Sequence, residues 1–181
     1  MSNYRVAARY SKSLLELAIE KNKLEKVKAD MDMFSSLCHE SRPFLNFIKN
    51  PVIHVYKKLA ILQILFEDRV DELTYKFIDI ITRKGREELL PEIGQQFLQD
   101  YRLHKGIEIV DVTTPIELDK DLKEEFLALS GKLVGKGKKV ELREKVDEDL
   151  LGGFVLRIGD RQIDDSVASK LRDLKKKLII S

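Results

Sequence analysis

Only one cysteine, Cys38, occurs in the 181 residues of this chain. No internal disulfide can form, and such usage fits a reducing compartment. Long apolar runs are missing as well: nothing approaches the roughly 18 consecutive residues that span a bilayer. The opening stretch, MSNYRVAARYSKSLLELAIEKNKLEK, has no secretory core because Arg5, Arg9, Lys12 and Glu16 interrupt it, and its acids set it apart from a transit peptide. Charge of one sign is scarce. The 33 Lys and Arg nearly balance 31 Asp and Glu, leaving +2, which removes the gross polyelectrolyte signal of a nucleic-acid binder. His39, His54 and His104 share no metal spacing, and Cys38 offers zinc no second thiol. Repeats and low-complexity tracts are absent too. The expectation is a soluble, cytoplasmic, non-catalytic protein with no metal and no cofactor.

What the chain has in quantity is charge of both signs, 35% of its residues against roughly 25% in a typical domain. A protein of this kind exposes much helix surface for its volume, or is elongated. Residues 1–105 read as helices. The first runs from about Tyr4 to Lys21. The second carries Leu24, Val27, Met31, Phe34, Leu37 and Cys38 at helical spacing. A short third, Pro43 to Lys49, stops at Asn50-Pro51. The fourth spans Val55 to Phe66, and the fifth Val70 to Lys84, with Gly85 in the C-cap position. The sixth covers about Glu88 to His104, where Pro91 fits only in the first turn. Six helices with short links predict an antiparallel bundle.

At Gly106 the period changes. IEIVDVTT, residues 107–114, is a β-branched strand stopped by Pro115. Asp119 can cap a helix bearing Leu122, Phe126, Leu129 and Leu133. Lys138 to Val146 alternates as a second strand, and Asp147, Glu148 and Asp149 make the following turn. Then comes LLGGFVLRIGDRQIDDSV, residues 150–167. Gly152 and Gly153 suggest a bulge or a close backbone approach before a strand. Gly159-Asp160 marks a tight turn into a second short strand, and Asp164, Asp165 and Ser166 can cap a helix carrying Val167, Leu171, Leu174 and Leu178. The fold class expected is α+β: a six-helix bundle over residues 1–105, followed by a small α/β domain over 106–181 with a short mixed sheet and two helices. A domain of about 75 residues has a thin core, so the second is expected to be the less stable and more mobile of the two.

Two helices carry more apolar surface than one core requires. On a wheel at 100° per residue, Tyr4, Val6, Ala7, Ala8, Tyr10, Ser11, Leu14, Leu15, Leu17, Ala18 and Ile19 fill one arc of roughly 220°, whereas a helix on one core needs little over 100°. In the fifth helix Val70, Leu73, Phe77, Ile78, Ile80 and Ile81 behave alike. Either both helices are buried nearly all round, or the arc edges form a groove for another helix. Val6, Tyr10, Ser13 and Leu17 lie along one edge of the first arc. Lys76 and Ile80 lie at an edge of the fifth helix's arc, with Arg83 beyond it.

Catalytic readings are weaker than structural ones throughout. Gly131-Lys132-Leu133-Val134-Gly135-Lys136-Gly137 lacks the four-residue gap and the Lys-Ser/Thr pair of a phosphate loop, and it trails a helix; it reads as a helix C-cap. Cys38 and His39 are adjacent, so on a helix they point 100° apart and make no dyad. Ser166 lacks a G-x-S-x-G setting. Lys132, Lys136, Lys138, Lys139, Arg143 and Lys145 cluster, as do Lys175, Lys176 and Lys177. No aromatic residue is interleaved for base stacking, so a solvated face is favoured. A nucleic-acid or ribosome-associated adaptor using this lysine-rich domain is the alternative reading, and a small nucleotide-dependent enzyme working through residues 131–137 a third.

The residues Gly152, Gly153, Arg157, Gly159, Asp160, Ile163, Asp164, Ser166, Val167, Leu171 and Leu174 stand in a pattern that resembles the C-terminal signature of the delta subunit of F-type ATP synthases, the family of the mitochondrial oligomycin-sensitivity-conferral protein. The resemblance extends to Tyr10, Ser13 and Leu14 near the N-terminus and to Ile80, Ile81, Gly85, Arg86, Leu90, Pro91 and Phe97. Asp165 replaces a usual glycine, Ser13 a usual alanine and Glu87 a usual apolar residue. The resemblance implies a non-catalytic peripheral-stalk adaptor of a proton-translocating ATP synthase. Its bundle would hold the N-terminal helix of an alpha subunit in a groove bordered by Val6, Tyr10, Ser13, Leu17, Lys76, Ile80 and Arg83. Its second domain would hold the b-type stalk subunits. It also implies a peripheral place on the cytoplasmic face of a bacterial inner membrane, with no cofactor, no nucleic acid and no direct membrane insertion.

Overall fold

The computed structural model of the chain describes residues 3–135 and 138–180, with side chains described for 4–135 and 138–176. Lys136 and Gly137 of the lysine cluster, and the side chains of Lys177 and Leu178, lie outside the described residues. Two compact units divide between residues 101 and 102, about a turn ahead of the period change at Gly106.

The first unit contains α1 (Asn3–Glu20), α2 (Leu24–Glu40), α3 (Arg42–Lys49), α4 (Val55–Phe66), α5 (Glu72–Arg83) and α6, whose Leu90–Lys105 span runs past the division. Local chemistry sets the ends. The Ser41 hydroxyl accepts from the Phe44 N–H at 3.3 Å to start α3. The Asp71 carboxylate accepts from the Leu73 N–H at 2.9 Å, which fixes the start of α5 two residues later than apolar periodicity alone suggests. Gly85 takes φ +64° just past α5, a conformation that costs a side chain with a Cβ about 1 kcal/mol or more. Glu87–Leu89 winds as a single 3₁₀ turn, and α6 follows with Pro91 as its second residue, where no helical N–H is lost.

The core of this unit gathers Phe34, Phe44, Ile48, Phe66, Ile78, Ile81 and Ile93. Phe34 sits 5.9 Å from Phe44 and 5.6 Å from Phe66, centroid to centroid. Each such side chain removed from water contributes about 1.5–3 kcal/mol, so this cluster dominates the unit's stability.

In the second unit β1 (Ile107–Thr114), α7 (Lys120–Val134), β2 (Lys139–Val146), β3 (Val155–Ile158), β4 (Arg161–Asp164) and α8 (Val167–Ile180) form a four-stranded sheet with two helices. The strand order is β2-β1-β3-β4. β1 runs parallel to β2, with Val110 opposite Leu142, and antiparallel to β3, with Val112 opposite Leu156. A parallel pair needs a crossover, and α7, capped by Asp119 on the Leu122 N–H at 2.8 Å, supplies it. The buried core is Val110, Val112, Leu118, Phe126 and Leu156. The fold class is therefore the α+β one expected.

The helix capped by Asp119 forms as expected, but its apolar stripe is only partly covered: of Leu122, Phe126, Leu129 and Leu133, only Phe126 is buried, and the three leucines are 39–43% exposed. A sheet this small offers too little area to cover a whole helix face.

Candidate partner-binding site

α1 buries Ala7, Ser11, Leu14 and Ala18, an i, i+4, i+7, i+11 stripe. Small residues at three of these positions let the helix pack close, and the Ser11 hydroxyl is satisfied by Asp100 at 2.5 Å. The rest of the arc is not buried. Tyr4, Leu17 and Ile19 are exposed, and on α5 Ile80 is 50% exposed while Leu73 and Phe77 are half-buried. The reading in which both helices are enclosed all round is thereby excluded. Each core facet is narrower than its apolar arc.

The two helices meet at Tyr10. Its ring stands edge-on to Phe77, 6.5 Å between centroids and 75° between planes. Its hydroxyl accepts a 2.6 Å hydrogen bond from Arg86 Nη1, and the Arg86 guanidinium carbon lies 5.8 Å from the ring centroid. A cavity of about 320 Å³ opens beside this junction, lined by Val6, Arg9, Tyr10, Ser13 and Arg86.

Of the residues expected to border a groove, the structure brings Val6, Tyr10 and Ser13 to this cavity. Leu17 and Ile80 are exposed apolar side chains outside it. Lys76 and Arg83 are exposed and tied along their own helix, Lys76 to Glu72 and Arg83 to Asp79 at 2.7 Å. Arg9 and Arg86 were not singled out as site residues by sequence reasoning. Arg9 falls on the polar sector of the helical wheel, and Arg86 follows the end of α5, where periodicity says nothing.

Behind Arg86 the chain is anchored from inside. The fully buried Lys58 Nζ donates to Glu87 Oε1 at 2.6 Å and to the Ile48 carbonyl at 2.8 Å. Glu87 thus has a specific partner, and the pair fixes the turn that carries Arg86. Removing one member of such a pair costs about 3–5 kcal/mol, because the other is left buried and unpaired.

The signature at residues 152–166 is architectural. The Gly152 carbonyl accepts from the Val167 N–H at 3.0 Å, and the Phe154 carbonyl from the Asp165 N–H at 3.0 Å. Gly153 has φ +73°, and a Cβ there would lie 2.3 Å from the Asp165 carbonyl oxygen. Gly153 thus shows both the positive φ and the close backbone approach that the glycine pair suggests. Arg157 Nε donates to the Gly159 carbonyl across the β3–β4 turn, and Asp160 is exposed in that turn. The buried Ser166 hydroxyl accepts from the Ser169 N–H as the cap of α8. Asp164 binds the Ser166 N–H and the Ser169 hydroxyl, and these bonds hold its carboxyl below the usual range.

Residues 131–134 are helical and Gly135 ends α7 at φ +98°, which is the C-cap reading of that glycine-rich segment. Lys138 pairs with Glu108 at 2.9 Å and Arg143 with Asp111 at 3.8 Å, so part of the basic cluster is neutralised by β1. Apolar surface is again exposed beside this sheet. Leu171 and Leu174 of α8 are more than half exposed, and a cavity of about 520 Å³ is lined by Leu133, Val134, Leu156, Ile158 and Ile163. Among the described residues no helix is long and apolar enough to cross a membrane, and no His, Cys, Asp and Glu group is arranged to hold a metal.

Fold and surfaces together define a two-unit α+β protein with exposed apolar faces on both units. Comparison with known proteins narrows the class. Residues 6–178 match the family described as ATP synthase delta (OSCP) subunit. The chain is 42% identical over 177 residues to the ATP synthase subunit delta of Cytophaga hutchinsonii, covering 98% of this chain and 96% of that one. It is 39% identical to the subunit delta of Amoebophilus asiaticus, covering 99% and 97%. Its fold resembles a chain of the Toxoplasma gondii mitochondrial ATP synthase hexamer at a TM-score of 0.71 and 25% identity, over 96% of this chain and 97% of the other. The chain belongs to the ATP synthase delta (OSCP) subunit family. Members are structural, non-catalytic subunits of that complex.

Proposed function

We propose that the chain is the peripheral-stalk adaptor of a proton-translocating ATP synthase, holding the catalytic head still against the torque of the turning shaft. Residues 1–105 bind the N-terminal helix of an alpha subunit, and residues 106–181 bind the b-type stalk helices. The work is mechanical: two binding surfaces on one chain tie head to stator at the cytoplasmic face of a bacterial inner membrane. The observation that carries this reading is the pair of apolar edges left uncovered on α1 and α5, which meet at Tyr10 and Phe77. An amphipathic helix laid along them would cover Leu17 and Ile80, residues that no core needs. Exposed leucines on α7 and α8 support the stalk surface in the same way. The nucleic-acid alternative loses ground because Lys138 and Arg143 already face carboxylates.

Leu17→Asp and Ile80→Asp test the groove, since each puts a charge at its wall without entering the core. Calorimetric titration with a peptide of the alpha-subunit N-terminus should show affinity falling by about thirtyfold or more for each. Circular dichroism should match wild type. Unchanged affinity in both variants would reject the groove.

A further inference from the structure

The cavity at Tyr10 is lined by the aliphatic Val6 and by two arginines, Arg9 and Arg86. Three other cations along α1 and α5 are locally paired: Lys12 with Glu16 at 3.9 Å, Lys76 with Glu72, and Arg83 with Asp79 at 2.7 Å. Arg9 and Arg86 differ. Among the described residues neither has a carboxylate within ion-pair distance. Arg86 is also oriented, since it donates to the Tyr10 hydroxyl at 2.6 Å and is carried on the turn that Lys58 and Glu87 fix from below. A guanidinium offers five N–H donors, so this bond leaves most of its fork unused.

We infer that this cavity seats a side-chain carboxylate of the docked helix between Arg9 and Arg86, which sets the register and direction of that helix in the groove. The inference rests on the groove reading above and adds the chemistry of its occupant: an amphipathic helix with an Asp or Glu at the level of Tyr10. Apolar contacts along Leu17 and Ile80 slide easily by a turn; a two-arginine seat does not. A carboxylate held there exchanges water for charge-assisted hydrogen bonds, and its attraction to both arginines is less screened than on an open surface.

The test uses the full chain and the alpha-subunit N-terminal peptide, with each acidic residue of the peptide amidated in turn. Among the described residues Arg9 makes no side-chain hydrogen bond or ion pair that its loss would break, so Arg9→Gln should keep the fold, checked by circular dichroism. Calorimetry should show Arg9→Gln weakening binding about fivefold. One amidated peptide should bind wild type equally weakly, and the two changes together should cost no more than either alone. Arg9→Glu paired with lysine at that peptide position should recover most of the affinity. Unchanged binding by Arg9→Gln, or strictly additive losses with every amidated peptide, would overturn the seat while leaving the groove standing. Failure of wild type to bind the unmodified peptide would overturn both.

Discussion

Asp71 does two jobs with one carboxylate. It caps α5 through the Leu73 N–H at 2.9 Å and accepts from Lys23 Nζ at 2.8 Å, tying the loop after α1 to the start of α5. The bond from Lys23 and then the Leu73 N–H hold its carboxyl below the usual carboxylate range. A carboxyl with a depressed folded pKa adds stability above its unfolded value, near 3.9, and that contribution is lost as pH falls through the folded value. Asp71→Ala should therefore lower the unfolding free energy by about 1 kcal/mol at neutral pH, as lost caps do. The gap from wild type should narrow as pH falls below the unfolded value and through the lower folded one, where the wild-type carboxyl becomes protonated. Urea titrations of both proteins at neutral and acid pH give the comparison; an equal gap at both would mean that ionisation of Asp71 is irrelevant. Lys58 and Glu87 show the opposite case at this scale, a pair invisible in the sequence. They lie 29 residues apart, and nothing local marks either as buried.

Among the elements, the β3–β4–α8 module is the most tightly specified by its residues. Gly153 combines φ +73° with a Cβ position only 2.3 Å from a backbone oxygen, so a side chain there faces both torsional strain and a clash that no rotamer relieves. Gly153→Val should destabilise the second unit by roughly 1–3 kcal/mol or more. Hydrogen exchange should show lost protection in β3, β4 and α8 while α2 and α6 stay protected. Wild-type protection throughout would contradict the packing described here. This module was legible in advance because each link is local: a positive-φ glycine, a two-residue turn, a serine cap. α4 was legible too, bounded at Val55 and Phe66 by its own apolar period. The face of α7 was not. Periodicity identifies which side of a helix is apolar, yet whether a neighbour covers that side depends on the width of the sheet. The same ambiguity held for α1 and α5. Only the positions of their neighbours distinguish an arc buried all round from one with free edges at Leu17 and Ile80.

For the whole molecule, an adaptor that resists torque needs two independent attachments on one chain, each strong enough to outlast a catalytic cycle. The division into two compact units, each with uncovered apolar surface, fits that requirement. The family was legible in the sequence through motifs at both ends of the chain. The proposed partner-binding residues were legible only in part: Tyr10 stands out as an aromatic at an arc edge and Arg86 as part of the family resemblance, but nothing in the sequence marks Arg9. The most direct test of the account is whether one chain bridges head and stalk. Native mass spectrometry of the chain mixed with the catalytic head and a soluble b-type stalk fragment should show a single assembly containing all three. Omitting the chain should leave head and stalk separate, and the Leu17→Asp/Ile80→Asp double variant should stay on the stalk while releasing the head. Head and stalk competing for the chain, or the double variant losing the stalk instead, would contradict the account.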